Sequence, residues 1–525
     1  MLLFELEPVV DAAVNARAVA TAAAVRASGL PGVRDVRATY RSVAVDYDPL
    51  IGDRDSIARA VASAYTVGGA PPAGRDVEIP VVYGGADGPD LAEVADRSGL
   101  SAAAVVAAHS SSTYHAFMLG FMPGFAYLGP VEAAITAPRR ATPRLRVVAG
   151  SVGIAGRQTG IYPRDCPGGW AIVGRTDTVL FDPLREPAAY VQPGDRVRFV
   201  AVDRLGPMPA IAAPLPPADG VPSATVIRPG LLTTVQDAGR WGRQALGVPV
   251  GGCLDACARR TANEAIGNDA AAAVLEVTLA GFELRFDRPC TAAVSGADLG
   301  AELDGVALVA DRAVQCPAGA SLRFAERRRG ARAYVALAGG VDVPPVLGSR
   351  STELGARFGG FGGRALRAGD RLAVGRSGPA TPPPSRALPP VARGVPVARL
   401  RVLPGPHDDW FDGDALAGLV GSQFTVTPQS NRVGYRLAAE APLARRQAGE
   451  MISDATVAGG IQVPPDGQPI LLMADRQVTG GYPILATVIT ADLPLAAQLA
   501  PGDGVAFEVC TRAAALAALR ELDAR

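Results

Sequence analysis

The chain contains no lysine, so all 51 of its basic residues are arginine. An ε-amine is needed to form a pyridoxal Schiff base, to carry covalent biotin and to complete the lysine-dependent phosphate loop of P-loop nucleotidases; this chain's side chains supply none of these. Any phosphate it holds must be met by arginine, backbone N–H groups or a metal ion. Cysteine is scarce as well, at positions 166, 253, 257, 290, 316 and 510, too irregular for a disulfide framework or a paired zinc motif. Cys253 and Cys257 have the spacing of one helix face, and inert thiols are the plainer reading. There is no net charge, since 51 acidic residues balance the arginines, and without a basic field nucleic acid is not an expected partner. Long apolar runs are also missing. No stretch approaches 18 uninterrupted apolar residues, which argues against a membrane partner. The opening MLLFELEP puts Glu5 and Glu7 where a signal peptide would carry positive charge and a long apolar run, so a reduced, cytoplasmic setting is expected.

Against these absences stand 525 residues, 48% of them hydrophobic, enough for three or four domains each with its own core. Residues 2–7 read as a strand, 11–27 as an Ala-rich helix ending at Gly29, VRDVRATY and SVAVDYD as two strands, and Asp55 to about Tyr65 as a helix. That order predicts a small ferredoxin-like α+β unit over 1–75. From 76 to 205 short strands and turns dominate, with helices expected near 90–97 and 101–108. A linker follows at 206–222 and a Pro-rich one at 377–396, dividing the second half into 223–376 and 397–525.

An internal repeat supports this division. AGSVGI at 149–154, GGWAIVGRTDTVLFDP from Gly168 and PGDRVRF from Pro193 recur in the same order as AGGIQV at 458–463, GGYPILATVITADLP from Gly480 and PGDGVAF from Pro501. One Gly-Asp turn recurs by chance in any β-rich protein, but three elements in one order do not. The reading is two copies of a β-barrel-like domain, each closing with a strand after a Gly-Asp turn. A third copy of the closing element alone, AGDRLAV, begins at Ala368.

Three regions carry candidate chemistry. Tyr114 to Arg175 combines glycines at 120, 124, 150, 153, 156, 160, 168 and 169 with Arg139, Arg144, Arg157 and Arg164, which suits an anionic or phosphorylated ligand, although the same residues also turn tight barrel corners. His109 and His115 have the chemistry of a base or ligand and equally that of hydrogen-bonded structural groups. In the second half, Asp237, Arg240 and Asp255 sit near Gly-rich turns, followed by LGSRST and FGGFGGR at 347–364. Carboxylate for Mg²⁺ or proton transfer beside guanidinium for a developing oxyanion suits phosphoryl or carboxyl chemistry, and a buried pair bracing a turn reads identically. PQSNRVGYRL and MADRQVTGGYP repeat the theme through Asn431, Arg432, Asp475, Arg476 and Tyr482.

GFMPGFAYLG, AGSVGIAGRQTGIYP and CPGGWAIVGRT resemble the Kip-inhibitor type, also called allophanate hydrolase subunit 1 or the B subunit of 5-oxoprolinase. TTVQDAGRWGRQALGVPVGGCLD, AGGVDVPPVLGSRST, NRVGYRL and GGIQVPPDGQPILLMADRQVTGGYP resemble its partner, the Kip-antagonist type or the C subunit of 5-oxoprolinase. The resemblance covers nearly the whole chain, with Cys253 and Cys166 at positions where alanine and serine are usual, and it implies a natural fusion of the B and C types. It also implies a mainly β, α+β protein with a cyclophilin-like barrel in each half, 397–525 completing the second, and kinship with the carboxyltransferase region of urea carboxylase.

The function so implied is a component of an ATP-dependent 5-oxoprolinase, a hydrolase of a cyclic amide. It would open 5-oxoproline to L-glutamate with ATP and Mg²⁺ and a separate 5-oxoprolinase component, the A subunit, resembling the LamB/YcsF family. Homo-oligomers are compatible with such an assembly, and there is no covalent biotin on this chain. Catalytic roles fall to Asp237, Asp255 and His109; Arg240, Arg350, Arg432, Arg476, Tyr162 and Tyr482 are the expected substrate or phosphate contacts, and no metal ligand is singled out. The alternatives are a carboxyltransferase or hydrolase acting on urea-like amides, and regulation of a sensor histidine kinase, against which an inhibitor fused to its own antagonist argues. The functional surface is expected to be shared, with GFMPGF and AGSVGIAG facing TTVQDAGR and GGYP; two independent sites are the competing picture.

Overall fold

A computed structural model describes residues 1–68, 74–207, 209, 222–375, 397–447 and 451–524. Most of the 206–222 linker and the whole 377–396 linker lie outside these residues.

The amino-terminal unit has the expected β-α-β-β-α order. Strands Leu2–Glu5, Val33–Ala38 and Ser42–Tyr47 form one antiparallel sheet with Ser42–Tyr47 in the centre. Helices Ala12–Ala27 and Arg54–Val67 cover it, each capped by an aspartate side chain, Asp11 accepting from the Ala13 and Val14 amides and Asp53 from that of Ser56. Ala18, Ala22 and Val25 pack with Val36, Val43 and Val45, Ile57 and Val61 in its core.

Residues 76–201 close a seven-stranded barrel in the order 171–175, 76–83, 196–201, 113–119, 126–129, 158–161, 151–155. Helices Leu91–Ser98 and Ala102–Ser111 pack beside it. The second barrel lies wholly within 397–509, in the order 397–404, 484–488, 460–462, 470–472, 434–438, 423–426, 504–509. The repeated phrases occupy matching places. Ser151–Ala155 and Gly460–Gln462 pair antiparallel with Ala171–Arg175 and Ile484–Val488. The strands after the Gly-Asp turns, Arg196–Ala201 and Gly504–Val509, lie parallel to the first strand of their barrels.

The turn itself is what repeats. Asp195, Asp503 and Asp370 each accept the backbone N–H three residues earlier, from Gln192, Ala500 and Arg367. The third copy feeds no barrel. Its strand, Arg371–Ala373, edges a six-stranded sheet that packs on a five-stranded one across residues 222–373. Phe282, Leu284, Phe286 and Phe324 from the first sheet meet Leu275, Val277, Val294 and Val335 from the second in a single core. Among the described residues no helix is long and apolar enough to cross a membrane.

Candidate functional site at the seam between the halves

The two halves meet along a buried seam. Gly120 can hold the start of GFMPGF against the second half because it has no side chain: a Cβ there would lie 1.8 Å from Thr479 Oγ1. The Phe121 amide donates to that oxygen at 3.1 Å, and the Gly124 amide to the Leu246 carbonyl at 3.1 Å. Val248, Val346, Ala356 and Phe358 from the second half enter the core cluster of the first barrel. Ile452 packs on a cluster that joins Tyr40 to Phe117, Phe125, Tyr127, Tyr162 and Trp170.

The amino-terminal sheet supplies the polar part of the seam. Thr39 and Ser42 hydroxyls donate to Asp454 at 3.0 and 2.6 Å. Arg37 pairs with Asp46 at 2.5 Å and donates to the Thr456 carbonyl at 2.5 Å. Gln244 gives its backbone N–H and amide to Asp35 and its amide to Asp46, while its carbonyl accepts from Arg476 at 2.9 Å. Burial raises the Asp35 carboxyl. Burial would raise Asp46 too, but the charges of Arg37 and Arg476 outweigh it and hold the group low. Burial, with repulsion from Arg37, brings Arg476 down to about 10. Arg476 is therefore a seam residue, held within the protein.

A second network joins the two-sheet layer to the second barrel. Arg432 reaches Glu276, pairs with both oxygens of Asp475 at 2.8 and 3.0 Å, and donates to the Gly252 carbonyl at 2.6 Å. These partners satisfy the buried guanidinium, so Arg432 acts as an interdomain strut. Asp255 caps helix Ala256–Glu264 through the Ala258 amide and accepts from Gln498 of the second barrel at 2.8 Å. Burial lifts its carboxyl to about 6.

The remaining candidates separate. Asp237 accepts from the Gly239 and Arg350 amides and the Ser349 and Ser351 hydroxyls, at 2.6–2.8 Å. It braces the 349–351 loop with its lone pairs filled. Arg350 is exposed and donates to the Val343 carbonyl. Tyr482 is exposed, whereas Tyr162 is buried in the seam's aromatic cluster, where burial raises its hydroxyl pKa.

The catalytic expectation for His109 requires correction. Its ring is fully buried, stacked 4.6 Å from Phe199, with Nδ1 bonded to the Tyr83 hydroxyl at 2.7 Å and Nε2 to that of Thr159 at 2.9 Å. Burial lowers it to about 3, so it is a neutral core histidine with both nitrogens engaged. AGSVGIAG likewise provides a buried barrel strand, Ser151–Ala155, rather than a seam-facing loop.

Arg240 is different. Its guanidinium is buried, stacks 4.8 Å from the centre of the Phe358 ring and donates to the Ser351 carbonyl, while Nε and Nη1 have no acceptor. Phe358 in turn meets Phe181 of the first half at 5.7 Å. Near Arg240 lies a residue that sequence reasoning missed, Glu353, whose carboxylate accepts the Ala356 amide. Burial and the proximity of Asp475 push its carboxyl up to about 7. Its motif, STELG, looks like an ordinary turn or helix start, so only the fold reveals its enclosure.

Comparison with known proteins follows the same division. Residues 1–191 match the family model "Carboxyltransferase domain, subdomain C and D", and residues 246–509 match "Carboxyltransferase domain, subdomain A and B". Over 300 residues the chain is 40% identical to the C subunit of 5-oxoprolinase from Escherichia coli (strain K12), covering 56% of this chain and 94% of that one. Over 129 residues it is 57% identical to the B subunit of 5-oxoprolinase from Escherichia coli O157:H7, covering 25% of this chain and 59% of that one. The crystal structure of TTHA0988 aligns over 97% of this chain and 99% of that one, with a TM-score of 0.87 and 39% identity.

Proposed function

Because the chain belongs to the carboxyltransferase-domain family, with regions similar to two separately named 5-oxoprolinase subunits in one polypeptide, we propose that it is the fused B and C component of an ATP-dependent 5-oxoprolinase. The observation that carries this reading is the seam, which locks the B-like and C-like halves together through Thr479, Asp454, Gln244 and Arg37. A lactam amide is a poor electrophile. Transfer of a phosphoryl group from ATP to the lactam oxygen, releasing ADP, makes the ring carbon electrophilic; one water adds there and the C–N bond breaks to leave an acyl phosphate, and a second water cleaves that to glutamate and phosphate.

In this reading Arg240 binds a substrate or phosphate oxygen, and Asp237 positions the 349–351 loop beside it. Asp255, Arg432 and Arg476 keep the surrounding domains in register, and Tyr162 contributes to the apolar wall. ATP and Mg²⁺ enter as co-substrate with a separate A component. Among the described residues no group of three or more His, Cys, Asp or Glu is arranged to hold a metal ion. The urea-directed alternative is weaker, because the relatives matched in both halves are named as 5-oxoprolinase subunits.

The test is glutamate formation from 5-oxoproline and ATP by the chain mixed with an A component of the LamB/YcsF type. Turnover that needs both proteins is the expected result. No turnover from a folded, correctly paired mixture would reject the assignment.

A further inference from the structure

Buried cations ordinarily have partners, because an unpaired charge in a low-dielectric interior is costly. Near Glu353 two arginines, one from each half, keep buried side-chain nitrogens without them. Arg240 is 1% exposed and leaves Nε and Nη1 without acceptors. Arg164, in the turn between Gln158–Ile161 and Cys166–Gly168, has its Nε buried and equally unpartnered. Among the described residues neither has a carboxylate within ion-pairing distance, although both lie within electrostatic range of Glu353.

The acids nearby are already committed. Asp237 is saturated by its four donors, Asp475 is held by Arg432, and Glu353 accepts backbone amides of its own turn. Asp475 and Arg240 are the charges that act most strongly on Glu353, while Asp182 and Arg357 lie near Arg164 and Asp237 near Arg240. Glu353 thus has one cation from each half near it, and three buried guanidinium nitrogens of that pair are left without an acceptor.

The geometry points to an oxyanion-binding site between Arg164 and Arg240, taking a phosphoryl or carboxylate group, with Glu353 as a proton-dependent partner to the bound anion. Guanidinium N–H groups match the planar oxygens of either ligand. A neutral Glu353 leaves the anion unopposed and offers it an O–H donor, whereas an ionised one competes for the same cations. With its carboxyl pushed to about 7, the neutral fraction falls from about nine-tenths at pH 6 to about one-tenth at pH 8, so affinity falls about tenfold.

This inference rests on the proposed function in giving Arg240 an anionic ligand and in choosing 5-oxoproline as a probe, and its test needs neither partner nor turnover. Sulfate, whose charge is constant between pH 6 and 8, stands for a phosphoryl group, and 5-oxoproline supplies a carboxylate. Each is titrated calorimetrically into the full chain at both pH values. At least one should bind, about tenfold more tightly at pH 6; sulfate alone assigns the site to phosphoryl groups and 5-oxoproline alone to carboxylates. Arg164→Gln, at a partly exposed position, should weaken binding at least tenfold with an unchanged circular dichroism spectrum. Glu353→Gln, which keeps the side chain's shape, should retain binding and lose its pH dependence. Failure of both probes to bind the unaltered chain, unchanged binding by Arg164→Gln, or a pH dependence that survives Glu353→Gln would overturn the inference.

Discussion

Replacing Arg432 by methionine tests whether the second barrel is held to the two-sheet layer by charge. Methionine keeps most of the apolar stem and removes only the guanidinium. The side chains of Arg432, Glu276 and Asp475 are 4, 1 and 6% exposed, so the variant leaves two carboxylates buried without their cation and the Gly252 carbonyl without its donor. Breaking a buried ion pair from one side costs about 3–5 kcal/mol. For a unit of this size that corresponds to a fall of roughly 10–20 °C in its thermal midpoint. Trp410 lies in the second barrel region and packs on its core, so tryptophan fluorescence reports the transition. Adding Glu276→Gln removes one uncompensated charge and should recover at least about 1 kcal/mol. A shift of less than about 3 °C, or no recovery in the double variant, would refute the strut.

Other outcomes follow from the same structure. Asp454→Ala leaves the buried Thr39 and Ser42 hydroxyls without their acceptor; at about 2–3 kcal/mol it should weaken association of the halves, once the linker is nicked, about 30- to 150-fold. His109→Phe should cost about 1–3 kcal/mol of stability through the orphaned Tyr83 and Thr159 hydroxyls, with turnover per folded molecule unchanged; a stable but inactive variant would restore the catalytic reading. Glu353 has a folded-state pKa raised from 4.5 to about 7, so its ionisation opposes folding as pH rises through that window. Glu353→Gln should therefore be more stable than the unaltered chain by up to about 3 kcal/mol above pH 7, with the gain gone below about pH 4.5, as denaturation midpoints across pH will show.

The sequence carried the architecture further than the site. Repeated phrases and Gly-Asp turns report local backbone geometry, which a sequence records directly, and they located two barrels of identical strand order. The same signal misleads at Asp370, where the turn persists but the strand joins a different sheet. Burial and pairing are decided by residues far apart in the chain. Asp237 and Arg240 are three residues apart, yet one is saturated by a loop more than a hundred residues away and the other is buried with two of its nitrogens lacking an acceptor. His109 looked reactive because histidine chemistry is visible in a sequence and enclosure is not. Glu353 was overlooked for the converse reason, since nothing in STELG announces that the fold will bury it near Arg240.

The claim at the centre of this account is that the halves form one functional body across the seam. A protease site placed in the 206–222 linker, followed by cleavage and a sizing column, tests it directly. The two pieces should co-elute as a tight complex and retain glutamate formation with the A component. Separation into two folded pieces, each binding its ligand unaided, would contradict it.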